Sequence, residues 1–156
     1  MFRVRIEREF PKPGGVFSLK VNFETDSRVL VVFGASGSGK SLTLKMMAGL
    51  IAPRSGLIEV NGRTLYDSDK GVDLPAKKRR VGYVFQDYAL FPHMSVRQNV
   101  AFGLGSPWRA LCRSQAREVD ELLERFEIAH VADSLPGRIS GGQRQRTALA
   151  RALAMN

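Results

Sequence analysis

Cysteine is nearly absent: Cys112 stands alone in 156 residues. No internal disulfide is possible, which suits a reducing compartment, and a lone thiol reads as a packing residue or an inert surface group. Histidine is almost as scarce. His93 and His130 have no companions at metal-ligand spacing, so no metal site built from side-chain clusters is expected. No apolar run approaches the roughly 18 residues of a membrane span, and Met1–Glu7 does not read as a secretory leader. Internal repeats, low-complexity segments and flexible interdomain linkers are missing too. What is present is an ordinary globular composition, 44% hydrophobic and 25% charged, in a length that suits one domain or one domain with a small subdomain. The net charge is +9, from 24 basic and 15 acidic residues. Apart from Lys77-Lys78-Arg79-Arg80 and the trio Arg144, Arg146 and Arg151, the positive charges are dispersed, and no aromatic stripe interleaves them. Solvated faces plus a phosphate site account for that balance better than nucleic-acid binding does.

One stretch carries the chemistry. Gly34-Ala35-Ser36-Gly37-Ser38-Gly39-Lys40-Ser41 fits the pattern G-x-x-x-x-G-K-[ST]. Before it, the β-branched run Arg28–Phe33 predicts a buried strand. After it, Ser41–Leu50 predicts a helix with Leu44, Met47 and Ala48 on its inner face and Gly49 near its end. Glycines let successive backbone N–H groups turn toward a polyphosphate, and the helix N-terminus adds a favourable dipole. Lys40 would lie along the β and γ phosphates, and the Ser41 hydroxyl would ligate Mg²⁺. The chain therefore reads as one that binds a nucleoside triphosphate, or descends from one that did.

The remaining pattern frames this loop. Phe2, Val4 and Ile6 alternate with charged residues in a first strand, Pro11–Gly15 reads as a turn, and Phe17, Leu19, Val21 and Phe23 alternate in an antiparallel partner. Phe10, at the end of the first strand, is placed either to stack on a base or simply to pack. Leu57–Val60 and Arg63–Tyr66 flank Asn61-Gly62, a strong hairpin signal. Asp67–Pro75 is polar and loop-like, and Arg80–Phe85 predicts a second buried strand ending at Gln86. The segment Asp87–Met94 is apolar yet irregular, as a surface that meets a partner would be. Ser95 caps a predicted helix carrying Val96, Val100 and Phe102, ended by the glycines around Leu104. A longer helix begins at Ser114 with Val119, Leu122, Leu123 and Phe126 on one stripe. Finally, Ile139-Ser140-Gly141-Gly142-Gln143 opens a helical run with Leu149 and Leu153 on its inner side.

The loop at 34–41, a glutamine at a strand end and Ile139-Ser140-Gly141-Gly142-Gln143 at a helix start, in that order, resemble the ATP-binding-cassette (ABC) ATPases over essentially the whole chain. That resemblance implies an α/β fold: a P-loop NTPase core with parallel strands and an N-terminal antiparallel β subdomain over 1–87, a helical subdomain over 88–138, and the signature motif with its helix over 139–156. It implies ATP and Mg²⁺ as ligands, with Gly34, Ser36, Gly37, Ser38, Gly39, Lys40 and Ser41 around the phosphates. Gln86 would contact the metal or the attacking water, and Phe10 would stack on adenine. Ser140, Gly142 and Gln143 would address the γ-phosphate of a second, head-to-tail copy, because one triphosphate does not need two glycine-bearing helix starts in one chain. The segment Tyr88–Phe102 would dock transmembrane permease subunits on the cytoplasmic face of the inner membrane.

The wording Tyr83–Val96 is similar to importer cassettes, and Asp69–Pro75 leading into Lys78–Tyr83 is similar to the molybdate type, although sulfate, iron and polyamine importers share much of it. One departure stands out. The family places an apolar strand closing in Asp-Glu after the signature helix, and the sequence given stops at Asn156 before one appears. Expected, then, is a cassette truncated before the strand that completes its core sheet. Such a stretch lacks the catalytic Glu and would bind ATP rather than turn it over. Two alternatives remain. A soluble ABC ATPase acting on nucleic acid would need long insertions between Gln86 and Ile139, which are absent; a non-catalytic fragment would self-associate to cover its sheet.

Overall fold

The computed structural model describes residues 1–104 and 111–154. Contacts divide the chain into two compact units, Met1–Arg80 and Val81–Asn156, each with its own core.

In the first unit, β1 (Phe2–Lys12) and β2 (Gly15–Thr25) form an antiparallel hairpin paired from Phe2 opposite Thr25 to Lys12 opposite Gly15. The turn expected over Pro11–Gly15 contracts to Pro13-Gly14, with Gly14 at φ +79°, so Pro11 and Lys12 belong to the strand. Alternation buries Val4 and Ile6 and leaves Arg5 and Glu7 to water. β3 (Ser55–Val60) and β4 (Arg63–Asp67) flank Asn61-Gly62, whose φ values of +51° and +76° are those of a type I′ turn. The strand pattern did not reveal that the two hairpins join. β3 pairs antiparallel with β1, Phe2 opposite Val60 and Glu7 opposite Ser55. Gly56 permits this approach, because a Cβ there would run into the Arg5 carbonyl. β5 (Val72–Asp73) completes the sheet order β2-β1-β3-β4-β5. Asp67–Pro75 is thus more than a loop: buried Asp67 accepts through Oδ1 from the N–H groups of Asp69 (3.0 Å) and Lys70 (3.2 Å), closing the turn into β5.

α1 (Lys40–Met47) contributes Met46 to the core of Val4, Ile6, Leu19, Ile58, Leu65 and Tyr66. Thr43 and Met46 face inward, and Leu44, expected inside, is exposed. The sheet decides which helix face is covered, and both faces of α1 carry apolar residues. α2 (Ala76–Arg79) is one turn that closes the unit.

Neither predicted buried strand is one. Residues 28–33 and 80–85 form no ladder, and every strand pair among the described residues is antiparallel. Phe33 is 97% exposed, with Val29 and Val31 nearly as open. A β-branched apolar run favours extended backbone, but a strand exists only where a neighbour accepts and donates its hydrogen bonds, and no described segment pairs with either run.

The second unit is helical: α3 (Val96–Ala101), α4 (Arg113–Arg125) and α5 (Gly141–Leu153), with 3-10 turns at Ala129–Val131 and Pro136–Arg138. Its core gathers Val96, Val100, Val119, Leu123, Ile128, Ile139, Ala150 and Ala154. Ser95 caps α3 as expected: its Oγ accepts from the Gln98 N–H at 3.2 Å, and Gln98 Oε1 accepts from the Ser95 N–H at 2.8 Å. Phe102 lies beyond α3, partly exposed and against Phe91 at a ring separation of 4.3 Å. Gly105, one of the glycines expected to end this helix, lies outside the described residues. α4 begins at Arg113, one residue before the expected Ser114, with Cys112 at its N-cap. In α5 the inward residues are Thr147, Ala148 and Ala150, followed by the buried C-cap Ala154, while Leu149 and Leu153 point outward. Small side chains on the inner stripe let α3 and α5 pack closely, which overrides leucine's preference for burial.

Candidate nucleotide-binding site

The loop at 34–39 leads directly into α1, and its conformation demands its glycines. Gly37 and Gly39 have φ of +79° and +93°, which any Cβ would strain. Gly39, the N-cap of α1, is pressed against the sheet as well: a Cβ on it would collide with Leu19 Cδ1 and stand 3.3 Å from Phe17 Cζ. Gly39 has no side chain to cap this helix, so the first N–H groups of α1 are left for another acceptor. The Lys40 ammonium folds back to donate to the carbonyls of Gly34 (2.8 Å) and Ala35 (2.6 Å), with Ser38 Oγ at 3.5 Å. Ser36, Ser38 and Ser41 are exposed beside it. A fixed positive charge, helix-terminal N–H donors and three hydroxyls form a donor set that fits a polyphosphate. For Mg²⁺ the protein offers the Ser41 hydroxyl, and among the described residues no group of three or more His, Cys, Asp or Glu could hold a metal. A cation fitting here takes its other oxygens from phosphate and water, the coordination Mg²⁺ favours.

Phe10 is half-buried and already engaged. Its ring lies 6.4 Å from that of Phe17, its cross-strand partner, and the Arg8 guanidinium lies 5.3 Å from its centroid. Phe17, which reaches the Gly39 end of the loop, is the aromatic nearer the phosphate cradle.

Gln86 and the signature residues belong to the second unit. Gln86 is exposed after the unpaired stretch 80–85. Ser140 caps α5 in a capping box: its Oγ accepts from the Gln143 N–H (3.2 Å), and Gln143 Oε1 accepts from the Ser140 N–H (2.8 Å). Gln143 Nε2 lies 3.3 Å from His130 Nε2. Gly142 is the informative residue here. It has ordinary helical φ, and a Cβ on it would meet nothing within 4 Å. Among the described residues, neither conformation nor packing requires a glycine at this position.

Three residues that organise these sites were not singled out from sequence. Arg79, read within a solvated basic run, is 2% exposed. Its guanidinium donates to Leu74 O (2.7 Å), Met46 O (2.8 Å) and Met47 O (3.0 Å) and pairs with Asp73 Oδ1 (3.1 Å), so it caps the carbonyl end of α1. Burial pulls its pKa below the usual arginine value, and Asp73 opposes that shift. Asn99 is fully buried: Nδ2 donates to the carbonyls of Phe91, Met94 and Ser95, and Oδ1 accepts from the Phe91 N–H, pinning residues 91–95. Arg151, read with Arg144 and Arg146 as surface charge, donates to the carbonyls of Tyr88 and Ala89. Arg79 stands among Lys77, Lys78 and Arg80, while Asn99 and Arg151 adjoin Val100 and Ala150, and neither neighbourhood says which polar side chain is buried.

Comparison with known proteins agrees with this geometry. The family described as ABC transporter matches residues 18–156. The molybdenum import ATP-binding protein ModC of Brucella melitensis is 44% identical over 139 residues, covering 89% of this chain and 38% of that protein. The molybdate/tungstate import ATP-binding protein WtpC of Archaeoglobus fulgidus is 42% identical over 151 residues, 97% of this chain and 58% of that protein. The chain thus spans well under two thirds of the length of these relatives. A dimeric ATP-binding cassette solved in a post-hydrolysis state with ADP and Pi superposes with a TM-score of 0.81 at 29% identity, covering 100% of this chain and 70% of that one. Among the described residues no helix is long and apolar enough to cross a membrane. On its phosphate loop, its mixed α/β fold and these similarities, the chain belongs to the ABC transporter family.

Proposed function

We propose that this chain is the ATP-binding part of the energising subunit of an importer for an oxyanion of the molybdate or tungstate type. The reading has 1–87 as nucleotide-binding core with its β subdomain, 88–138 as helical subdomain, and 139–156 as signature region. Lys40, with the backbone of Gly37, Ser38 and Gly39, holds the β and γ phosphates of ATP. Gly34 and Ser36 shape the loop, and Ser41 supplies a hydroxyl to Mg²⁺. Gln86 senses the metal or the attacking water. Ser140, Gly142 and Gln143 face the γ-phosphate bound by a second copy, so that ATP itself glues a head-to-tail dimer. Phe10 or its neighbour Phe17 supplies the aromatic face for adenine. Permease subunits dock on Tyr88–Phe102, which places the protein peripherally on the cytoplasmic side of the membrane. When bound, Mg²⁺ neutralises phosphate charge; the chain's own residues bind, orient and sense. Within the 156 residues no apolar strand closes in Asp-Glu, so this stretch binds ATP and hardly hydrolyses it.

The observation that carries the reading is Gly142. A glycine in the first turn of α5, required by neither φ nor packing, costs helix stability and is explained by a ligand's close approach from outside the chain. The solute rests on relatives whose names state molybdenum and molybdate/tungstate import. The test is titration of the purified chain with a fluorescent Mg-ATP analogue. Saturable binding lost in Lys40→Ala is expected, with ATP turnover far below that of intact cassettes. Undiminished uptake in Lys40→Ala, or turnover at intact-cassette rates, would overturn the corresponding part.

A further inference from the structure

Arg151 stands in the last turn of α5, far along the helix from Ser140. Its NH1 donates to Ala89 O and its NH2 to Tyr88 O, both at 2.8 Å, and its guanidinium lies 5.4 Å from the Phe91 ring centroid. Tyr88 and Ala89 are consecutive non-glycine residues in the left-handed region, with φ of +64° and +42°. Backbone of that kind persists only where surrounding structure holds it. Here the hold is one side chain reaching from another element, with charge-assisted bonds to both carbonyls. The chain approaches the bend against the same helix: a Cβ on Gly82 would stand 2.8 Å from Ala152 O. Leaving the bend, it enters residues 91–95, pinned by Asn99. The strained turn therefore follows Gln86 closely and opens the proposed permease-docking segment, and α5 holds it by its far end.

We propose that Arg151 is a positioning residue that couples the docking segment to the signature end of α5. α5 is 13 residues, about 20 Å of helix, long enough to act as a rod. Displacement of the 88–91 bend by a permease surface moves Arg151, and with it the rod that carries Ser140 and Gln143. In the reverse direction, capture of a γ-phosphate at the N-terminus of α5 draws on the bend. The role rests on the importer reading above. The alternative is that Arg151 merely supports a strained turn.

Two measurements separate these. In the purified chain, hydrogen exchange at the Tyr88 and Phe91 amides, which donate to Phe85 O and Asn99 Oδ1, should rise at least tenfold in Arg151→Met, with β1 and β3 unchanged. Adding Tyr88→Gly and Ala89→Gly should restore protection, because glycine adopts this backbone without strain. In the full-length protein assembled with its membrane subunits, molybdate moved per ATP hydrolysed should fall at least fivefold in Arg151→Met, with apparent ATP affinity within twofold. The glycine pair should not restore that ratio, since the link to α5 is still cut. An unchanged ratio in Arg151→Met, or a ratio rescued by the glycines, reduces Arg151 to structural support and overturns the proposal. Unchanged exchange in Arg151→Met overturns the clamp itself. A wild-type protein that binds no ATP overturns the importer reading and the coupling role with it, while the exchange result still judges the clamp.

Discussion

Gly39 and Leu19 meet so closely that a methyl group on the glycine would collide with the leucine Cδ1. The phosphate loop is therefore braced from below by β2, and its shape depends on that contact as much as on backbone freedom. Gly39→Ala should cost about 2–4 kcal/mol, combining left-handed strain with overpacking. Gly37→Ala has the strain without the collision, since a Cβ there meets nothing within 4 Å, and should cost only about 1 kcal/mol. Urea unfolding compares the two. Equal costs would remove the brace from the account, and both variants should bind ATP more weakly.

Gly142→Ala should separate folding from function. The new methyl enters open space in a helix, so stability should rise by up to about 1 kcal/mol. ATP-dependent association of the full-length protein should weaken at least tenfold. Thermal unfolding and light scattering with Mg-ATP read the two effects, and a variant that associates normally removes the reason given for the glycine.

Arg79→Met should be among the most damaging changes outside the loop. Truncation strands the carbonyls of Leu74, Met46 and Met47, all within 3.0 Å of the guanidinium, and should cost about 3–5 kcal/mol. Asp73→Asn should cost under about 1 kcal/mol, because the aspartate side chain is 53% exposed. Chemical denaturation checks both, and a larger loss at Asp73 would mean that the ion pair, not the helix cap, is what matters.

Cys112 should alkylate at lower pH than an ordinary cysteine. The Ser114 hydroxyl, 3.1 Å from its sulfur, stabilises the thiolate and holds the thiol pKa down. Deprotonation creates the nucleophile, so the rate with iodoacetamide should rise with pH through a midpoint below the usual thiol value. Ser114→Ala should move that midpoint up. A midpoint at the usual position in the wild type would remove Ser114 from the account.

Much of the architecture was legible locally. Strict alternation marked β1 and β2, Asn61-Gly62 marked the β3–β4 hairpin, and Ser95 marked the start of α3. Each of these is a short-range event, in which a residue's neighbours in sequence are also its partners. Where the partner is distant, pattern fell short. Residues 28–33 have strand composition and no ladder; Leu44, Leu149 and Leu153 have core composition and face outward.

By itself, the sequence determined the phosphate loop and the glycine-bearing start of α5, because both are written in contiguous residues whose backbone chemistry tolerates few substitutes. Only the tertiary structure decided that β1 joins β3, that Arg79 alone of its basic run is buried on α1, and that Arg151 reaches back to Tyr88 and Ala89. Burial of an arginine depends on which unpaired carbonyls the fold brings within reach of it. That is set by contacts tens of residues apart, and neither composition nor periodicity records them.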